Sequence, residues 1–156
     1  MLTERSEAGG GTMGPERRHA IVIGGGASGV LLAFQLLKSN PSDLRVTLIE
    51  KRTEIGRGLA YHAGNPEHLV NVRVTNMSAL PDDPGHFWNW LCARPDGPLC
   101  PDPYCFVPRQ TYGDYLADLI APLTSHAAFP DPSCRPPLLI ARSTSQDWGS
   151  SRVQMR

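Results

Sequence analysis

The sequence lacks a net charge, a run of like charges, a repeat and a heptad pattern. Fifteen basic residues balance fifteen acidic ones over 156 residues. A protein that binds nucleic acid or an anionic membrane needs a basic surface, and this balance does not supply one. We therefore expect neither nucleic acid nor a membrane among its partners. The length allows one domain at most.

A long hydrophobic run is also missing. Arg17 and Arg18 precede an apolar stretch, 20–37, that superficially resembles a secretory signal or a membrane span. Three consecutive glycines and two polar residues interrupt that stretch, and no small-x-small cleavage site follows in a sensible place. A spanning helix needs about 20 consistently apolar residues. The sequence therefore favours a cytoplasmic protein without a signal peptide or membrane span.

Cysteines are few and lack a metal-binding spacing. They are Cys92, Cys100, Cys105 and Cys134, with no C-x-x-C pair and no zinc spacing with histidine, so we predict no metal site. Cys100 and Cys105 form C-x-x-x-x-C, a spacing used by disulfide-active flavoenzymes that resemble glutathione reductase. Because prolines separate the two cysteines, ordinary loop cysteines in a reducing cytosol are the favoured interpretation, and a redox disulfide is the alternative.

The most informative feature present is the glycine-rich stretch IVIGGGASG, residues 21–29. A short apolar run stops at glycines that spell G-x-G-x-x-G, namely Gly24, Gly26 and Gly29, and a helical pattern follows at once. This strand, tight turn and helix start is the arrangement that binds a dinucleotide pyrophosphate. Unpaired N–H groups at the helix N-terminus, together with the helix macrodipole, favour the negative diphosphate.

Glycines in a row are also typical of a flexible loop, so the surrounding pattern decides between the two interpretations. The nine residues after Gly29 are good helix formers, and Pro41 ends the helix. A second strand, 44–49, leads into Glu50, an acidic residue about 20 positions after the last motif glycine. Such a residue is placed to accept hydrogen bonds from an adenosine ribose, and its charge favours FAD over NADP.

A second glycine-rich loop, 54–61, follows the second strand closely. It should lie at the carboxyl edge of the sheet, where ligands bind in open α/β folds. Arg57 could reach a phosphate or a flavin edge from this loop; the alternative is a mobile turn with a solvated arginine. The candidate cofactor-binding residues are therefore Gly24, Gly26, Ala27, Ser28, Gly29, Glu50 and Arg57, and no catalytic residue is assigned.

Two further helices are predicted downstream. Asp83 and Pro84 are typical of an N-cap and first helical position, and the aromatic face that follows, with Phe87, is predicted to join the core rather than to support a flavin. Thr111 with Asp114 resembles a capping box that opens the last helix, which Pro122 closes.

Several segments carry a resemblance to one family in order: 21–29, 56–61, 66–72, 76–79, 83–91 and 106–116. They resemble bacterial FAD/NAD(P)-binding proteins related to FAD-dependent urate hydroxylase of the HpyO type, over about 19–122. The resemblance implies a Rossmann-like FAD domain with Gly24, Gly26, Gly29 and Glu50 in the usual nucleotide-binding roles. It also implies a flavin oxidoreductase or monooxygenase that acts on a small molecule, with NAD(P)H as co-substrate.

We therefore predict an α/β, Rossmann-like (βαβ) dinucleotide-binding fold that is incomplete and carries two further helices. Residues 1–18 are predicted to be a disordered leader, 19–122 the dinucleotide-binding domain and 123–156 an atypical, irregular tail. The segment 136–141 is the only plausible strand of that tail, and the outer edge of the second strand is expected to remain unpaired.

The change of composition near residue 123 supports a second hypothesis about function. Proteins that resemble this family continue there with alternating strands, which a doubly wound sheet needs to complete its crevice. The chain is then a truncated or frameshifted, non-catalytic nucleotide-binding fragment. The first hypothesis is the FAD-binding domain of an oxidoreductase.

Overall fold

The computed structural model describes residues 18–39, 44–62, 64–95, 101–124 and 138–142. Over these residues the elements are strands β1 (Arg18–Ile23), β2 (Leu44–Glu50) and β3 (Leu138–Arg142), helices α1 (Ala27–Ser39), α2 (His86–Cys92) and α3 (Arg109–Thr124), and a 3-10 turn (Val74–Asn76). The architecture is mixed α/β and forms a partial Rossmann-like fold, as predicted. Apart from Arg18, the predicted leader lies outside the described residues.

The three strands form one parallel sheet in the order β1-β2-β3. Val22 is in register with Leu48, and Leu48 with Ile140. The expectation that the outer edge of β2 stays unpaired is therefore wrong, because β3 occupies it. Among the described residues, the two sheet edges without a neighbouring strand are the outer edges of β1 and β3.

Within the described residues, one face of the sheet is well covered and the other is covered only in part, at Thr47, which is 8% exposed. Val22, Val46 and Leu48 are buried, and they join residues of α1 in a single apolar core. Successive side chains of a strand point to opposite faces, so the neighbours of these residues lie on the other face. There Ile21 and Ile23 are 60% and 84% exposed.

The second part of the core is aromatic and joins α2 to α3. Phe87 is fully buried, and its ring centroid lies 4.8 Å from that of Tyr115 and 5.2 Å from that of Tyr112. The hydroxyl of Tyr115 accepts the N–H of Ala79 at 3.1 Å and lies 2.7 Å from Nδ1 of His86. The prediction that the aromatic face of α2 belongs to the core is confirmed.

Both downstream helices begin at other residues than predicted. Helix α2 starts at His86 with Gly85 as its N-cap, because residues 83–86 form a turn in which the Asp83 carbonyl accepts the His86 N–H. Helix α3 starts at Arg109, so Thr111 lies inside it and is not a cap. Proline 122 also lies within the last turn of this helix rather than ending it.

Cysteine 92 is exposed and carries a free thiol, whereas Cys105 is disulfide-bonded. The interpretation of Cys105 as an ordinary loop cysteine is therefore wrong. Cys100 and Cys134 lie outside the described residues. In the described part of the chain, no helix combines the length and the apolar character that crossing a membrane requires.

Replacement of Gly29 by alanine is expected to cost about 2–4 kcal/mol of unfolding free energy. A Cβ at this position would lie 1.8 Å from the carbonyl oxygen of Gly24, so the turn and α1 would have to separate. Urea unfolding followed by circular dichroism measures the loss. Gly85→Ala is the matched control, because its Cβ would meet nothing closer than 3.6 Å. Equal stability of the two variants would contradict this packing.

Candidate functional site

The turn after β1 is fixed by its backbone and open toward the solvent. Gly24 has a φ of +99°, a conformation that residues with a side chain rarely adopt, and its N–H donates to the carbonyl of Ile49 at 2.8 Å. A Cβ built on Gly24 would meet no atom within 4 Å. Helix α1 begins at Ala27, so its first N–H groups, which lack intrahelical partners, lie next to this open space.

The second glycine loop packs directly on the first. The N–H of Gly56 donates to the carbonyl of Gly25 at 2.8 Å. A Cβ on Gly58 would lie 3.1 Å from the Cα of Gly26, so the two backbones are in close contact. As predicted, both loops lie together at the carboxyl edge of the sheet.

Helix α3 supports the second loop from behind. A Cβ on Gly56, whose φ is +87°, would lie 2.9 Å from the carbonyl oxygen of Gly113 and 3.0 Å from the backbone nitrogen of Ala117. Only a glycine allows the loop to approach the helix backbone this closely. The two loops and α3 therefore form one packed unit.

The two glycine loops, together with the end of β1 and the start of α1, line an open cleft of about 540 Å³. Six of the seven predicted site residues line it, namely Gly24, Gly26, Ala27, Ser28, Gly29 and Arg57. Ile23 and Leu59 also line it, and their side chains are 84% and 79% exposed. The cleft thus combines a polar backbone floor with apolar side chains that remain available for contact.

Glu50, the seventh predicted residue, is 8% exposed, does not line the cleft, and binds Gly25, which lies between the lining residues Gly24 and Gly26. Its Oε2 accepts the N–H of Gly25 at 2.6 Å, and its Oε1 accepts the N–H of Arg52 at 2.9 Å. Burial alone would raise the pKa of Glu50. The backbone N–H groups of Arg52, Gly25 and Lys51, with the charge of Arg52, outweigh burial and lower the pKa of Glu50 below its ordinary value. The ionised carboxylate therefore joins the turn after β1 to the turn after β2.

Arg57 is held by carboxylates rather than by solvent. Its side chain is 15% exposed, Nη2 donates to Oδ1 of Asp114, and Nε lies 3.6 Å from Oε2 of Glu54. Nη1 is buried and has no hydrogen-bond partner within the described residues. The alternative of a mobile turn with a solvated arginine is therefore wrong.

Tyr61 connects the cleft to the aromatic core. It lines the cleft, and its ring centroid lies 4.9 Å from that of Tyr112. Burial, followed by the nearby hydroxyls of Tyr61 and Tyr115, raises the pKa of Tyr112 to about 12. Tyr112 is therefore neutral at physiological pH and contributes packing rather than a phenolate.

The sequence reasoning missed Gly25, Gly113 and Asp114. The dinucleotide motif leaves its second position free, yet a Cβ on Gly25 would lie 2.9 Å from the Cβ of Glu50. The presence of a third glycine at that position was the available signal. Asp114 was interpreted as half of a capping box, but its carboxylate binds Arg57, 57 positions earlier in the chain. No local pattern reveals a contact at that separation.

The described residues contain no group of three or more histidine, cysteine, aspartate or glutamate side chains that could hold a metal ion. The residues that line the cleft offer backbone N–H groups, the guanidinium of Arg57, the hydroxyl-bearing side chains of Ser28 and Tyr61, and apolar side chains. Such a set binds an anion attached to an apolar or aromatic group.

Comparison with known proteins gives one family match and one structural match. A model of the FAD-NAD(P)-binding family matches residues 21–131, which include both glycine loops and all three helices. The structure of THI4 from Thermovibrio ammonificans is similar at 21% identity and a TM-score of 0.39, and the match covers 67% of this chain. It covers 34% of the THI4 chain, so the present chain spans about a third of that protein's length. No curated protein matches the chain.

Glu50→Gln is expected to destabilise the chain by about 1–3 kcal/mol, because an amide NH₂ would face one of two buried N–H donors. The pH dependence should change as well. A carboxylate whose pKa is lowered by folding stabilises the protein above its unfolded pKa, near 4.5, and that contribution disappears as the pH falls through the folded pKa. The unfolding free energy of Glu50→Gln should therefore fall less steeply below about pH 4.5.

Urea unfolding of both proteins between pH 3 and pH 7 (on the order of five points) measures this difference. Glu67→Gln is the control, because Glu67 is exposed, and it should retain the wild-type pH profile. A Glu50→Gln profile parallel to that of wild type would contradict the assigned role of this carboxylate.

Proposed function

This chain belongs to the FAD-NAD(P)-binding family, and we propose that it binds FAD in the cleft between its two glycine loops. The observation that carries the proposal is the open turn at Gly24, which meets the start of α1 and faces Arg57 across the cleft. Backbone N–H groups at a helix start and an arginine are the partners that a diphosphate prefers.

The residues present fit the diphosphate part of FAD. The space beside Gly24 that a side chain would fill is empty, so phosphate oxygens can approach the backbone there. Nη1 of Arg57 is a buried donor without an acceptor among the described residues, and a buried unsatisfied donor costs about 1–3 kcal/mol. An anion bound beside Arg57 would offset that cost.

Glu50 supports FAD rather than a cofactor with a 2′-phosphate. Each of its carboxylate oxygens accepts one backbone N–H and retains a further lone pair for a ribose hydroxyl. Its lowered pKa keeps it negatively charged at neutral pH. A ribose 2′-phosphate would meet that charge, so NADP is disfavoured as the dinucleotide bound in this cleft.

We assign to the bound cofactor the redox chemistry of a flavin oxidoreductase that acts on a small molecule, with NAD(P)H as co-substrate. FAD supplies hydride acceptance and electron transfer, and the protein supplies binding and orientation. Gly24 and the start of α1 hold the diphosphate, while Ile23 and Leu59 exclude water from the ring systems that contact them. As a more specific form of this proposal, the chain is part of a monooxygenase that hydroxylates its substrate.

A second candidate function is that of a non-catalytic nucleotide-binding fragment. The sheet face opposite α1 favours it, since Ile21, Ile23 and Leu139 on that face are 60%, 84% and 40% exposed. The three parallel strands among the described residues are fewer than a doubly wound sheet requires to close its crevice. In this case the chain binds the dinucleotide but turns over no substrate.

A titration of the purified chain tests the binding proposal. We expect FAD and ADP to bind with affinities within about tenfold of each other, and riboflavin to bind at least about 100-fold more weakly, because the glycine loops contact the diphosphate. Flavin fluorescence measures FAD and riboflavin, and calorimetry measures ADP. A folded chain that binds neither FAD nor ADP would overturn the proposal.

Gly26→Val should abolish binding of both FAD and ADP. Its Cβ would already lie 3.4 Å from the Cα of Gly58, and its two γ-methyl groups would crowd the space between the loops. Gly85→Ala, outside the cleft, should bind both ligands as wild type does. Turnover of NAD(P)H by the FAD-loaded chain then separates the two candidate functions: oxidation of NAD(P)H favours the oxidoreductase, and its absence favours the fragment.

A further inference from the structure

We infer that Asp114 is a positioning residue, which acts through Arg57 to set the affinity of the cleft for a diphosphate. The inference rests on the proposed function and adds a residue of helix α3 to it. Asp114 itself does not line the cleft. The structure assigns the role through three observations, on the backbone of the loop, on the stem of the arginine and on its charged head.

The backbone on either side of Arg57 is fixed. Hydrogen bonds hold this backbone: the Gly56 N–H donates to the Gly25 carbonyl at 2.8 Å, and the Arg57 carbonyl accepts the Tyr61 N–H at 2.9 Å. The contact of Gly56 with the backbone of α3 also fixes the distance between the loop and the helix. The side chain of Arg57 therefore leaves the loop in a defined direction.

The stem of Arg57 lies against the helix residue next to Asp114. A Cβ on Gly113 would lie 2.8 Å from the Cγ of Arg57 and 2.8 Å from the carbonyl oxygen of Tyr61. A glycine at 113 thus provides the groove in which the arginine stem passes over α3. The following residue, Asp114, is placed by the helix to meet the guanidinium.

The charged head of Arg57 is bound on one side and unsatisfied on another. Asp114 accepts from Nη2, and the two side chains are 15% and 30% exposed, so water competes weakly with this pair. Glu54 lies 3.6 Å from Nε and is 53% exposed, which makes it the weaker partner. Nη1, which is buried and without a partner in the described chain, and the second N–H of Nη2 remain as unused donors.

A guanidinium held at one nitrogen presents its other donors in a fixed fork. Asp114 therefore removes the rotamer freedom that Arg57 would otherwise lose on binding a phosphate, and preorganised contacts of this kind strengthen binding. The opposite possibility is that Asp114 competes with the ligand for Arg57. Positioning predicts weaker binding without Asp114, whereas competition predicts stronger binding.

A double-mutant cycle tests the inference, with ADP as the probe and calorimetry as the measurement. Asp114→Ala and Arg57→Ala should each weaken ADP binding by about tenfold or more. The double variant should bind no more weakly than Arg57→Ala alone, because Asp114 has no effect without the arginine. Asp114→Glu should restore part of the affinity, a result that loss of packing would not produce.

Asp118→Ala provides the matched control, since Asp118 lies one turn further along α3 and accepts the indole N–H of Trp90 at 3.1 Å. It should bind ADP as wild type does. Equal weakening by Asp114→Ala with and without Arg57 would overturn the inference, as would unchanged or tighter binding by Asp114→Ala. Failure of wild type to bind either ADP or FAD would overturn the proposed function. Binding by wild type with no effect of Asp114→Ala would overturn the inference about Asp114 alone.

Discussion

The cleft depends on close contact between three stretches of backbone that have no side chains between them. Gly25 hydrogen-bonds to Gly56, and Gly56 lies against the backbone of α3 beside Gly113. The buried carboxylate of Glu50 stabilises this arrangement. Glu50 is the last residue of β2, a strand held in the core, and it accepts the N–H of Gly25. Any side chain at these glycines would separate the loops and open the cleft.

This constraint explains how the site can be polar and rigid at once. The donors that face the cleft belong to backbone held by the sheet and by α1, so the diphosphate binding that we propose would require little reorganisation. The single charged side chain, Arg57, is restrained by Asp114 and by its glycine neighbours. Apolar side chains at Ile23 and Leu59 complete the surface without adding charge.

The βαβ unit could be predicted from sequence because its signals are local. An apolar strand, a glycine turn, a helix and an acidic strand end lie within residues 18–50, and the structure places the strands and α1 there. The second loop was predictable for the same reason, since parallel strands bring their carboxyl ends to one edge. The contact between Arg57 and Asp114 was not, because it joins residues far apart in sequence. Likewise, the pairing of β3 with β2 depends on the tertiary fold.

Helix starts were also beyond local reasoning, as α2 begins after a turn at Asp83 rather than at Asp83 itself. The central claim, that the glycine turn binds a diphosphate, is tested most directly by amide chemical shifts of the ¹⁵N-labelled chain as ADP is added. The account predicts the largest shifts at Gly26, Ala27 and Ser28 and at the guanidinium of Arg57. Shifts confined to other parts of the chain, with these four residues unchanged, would contradict it.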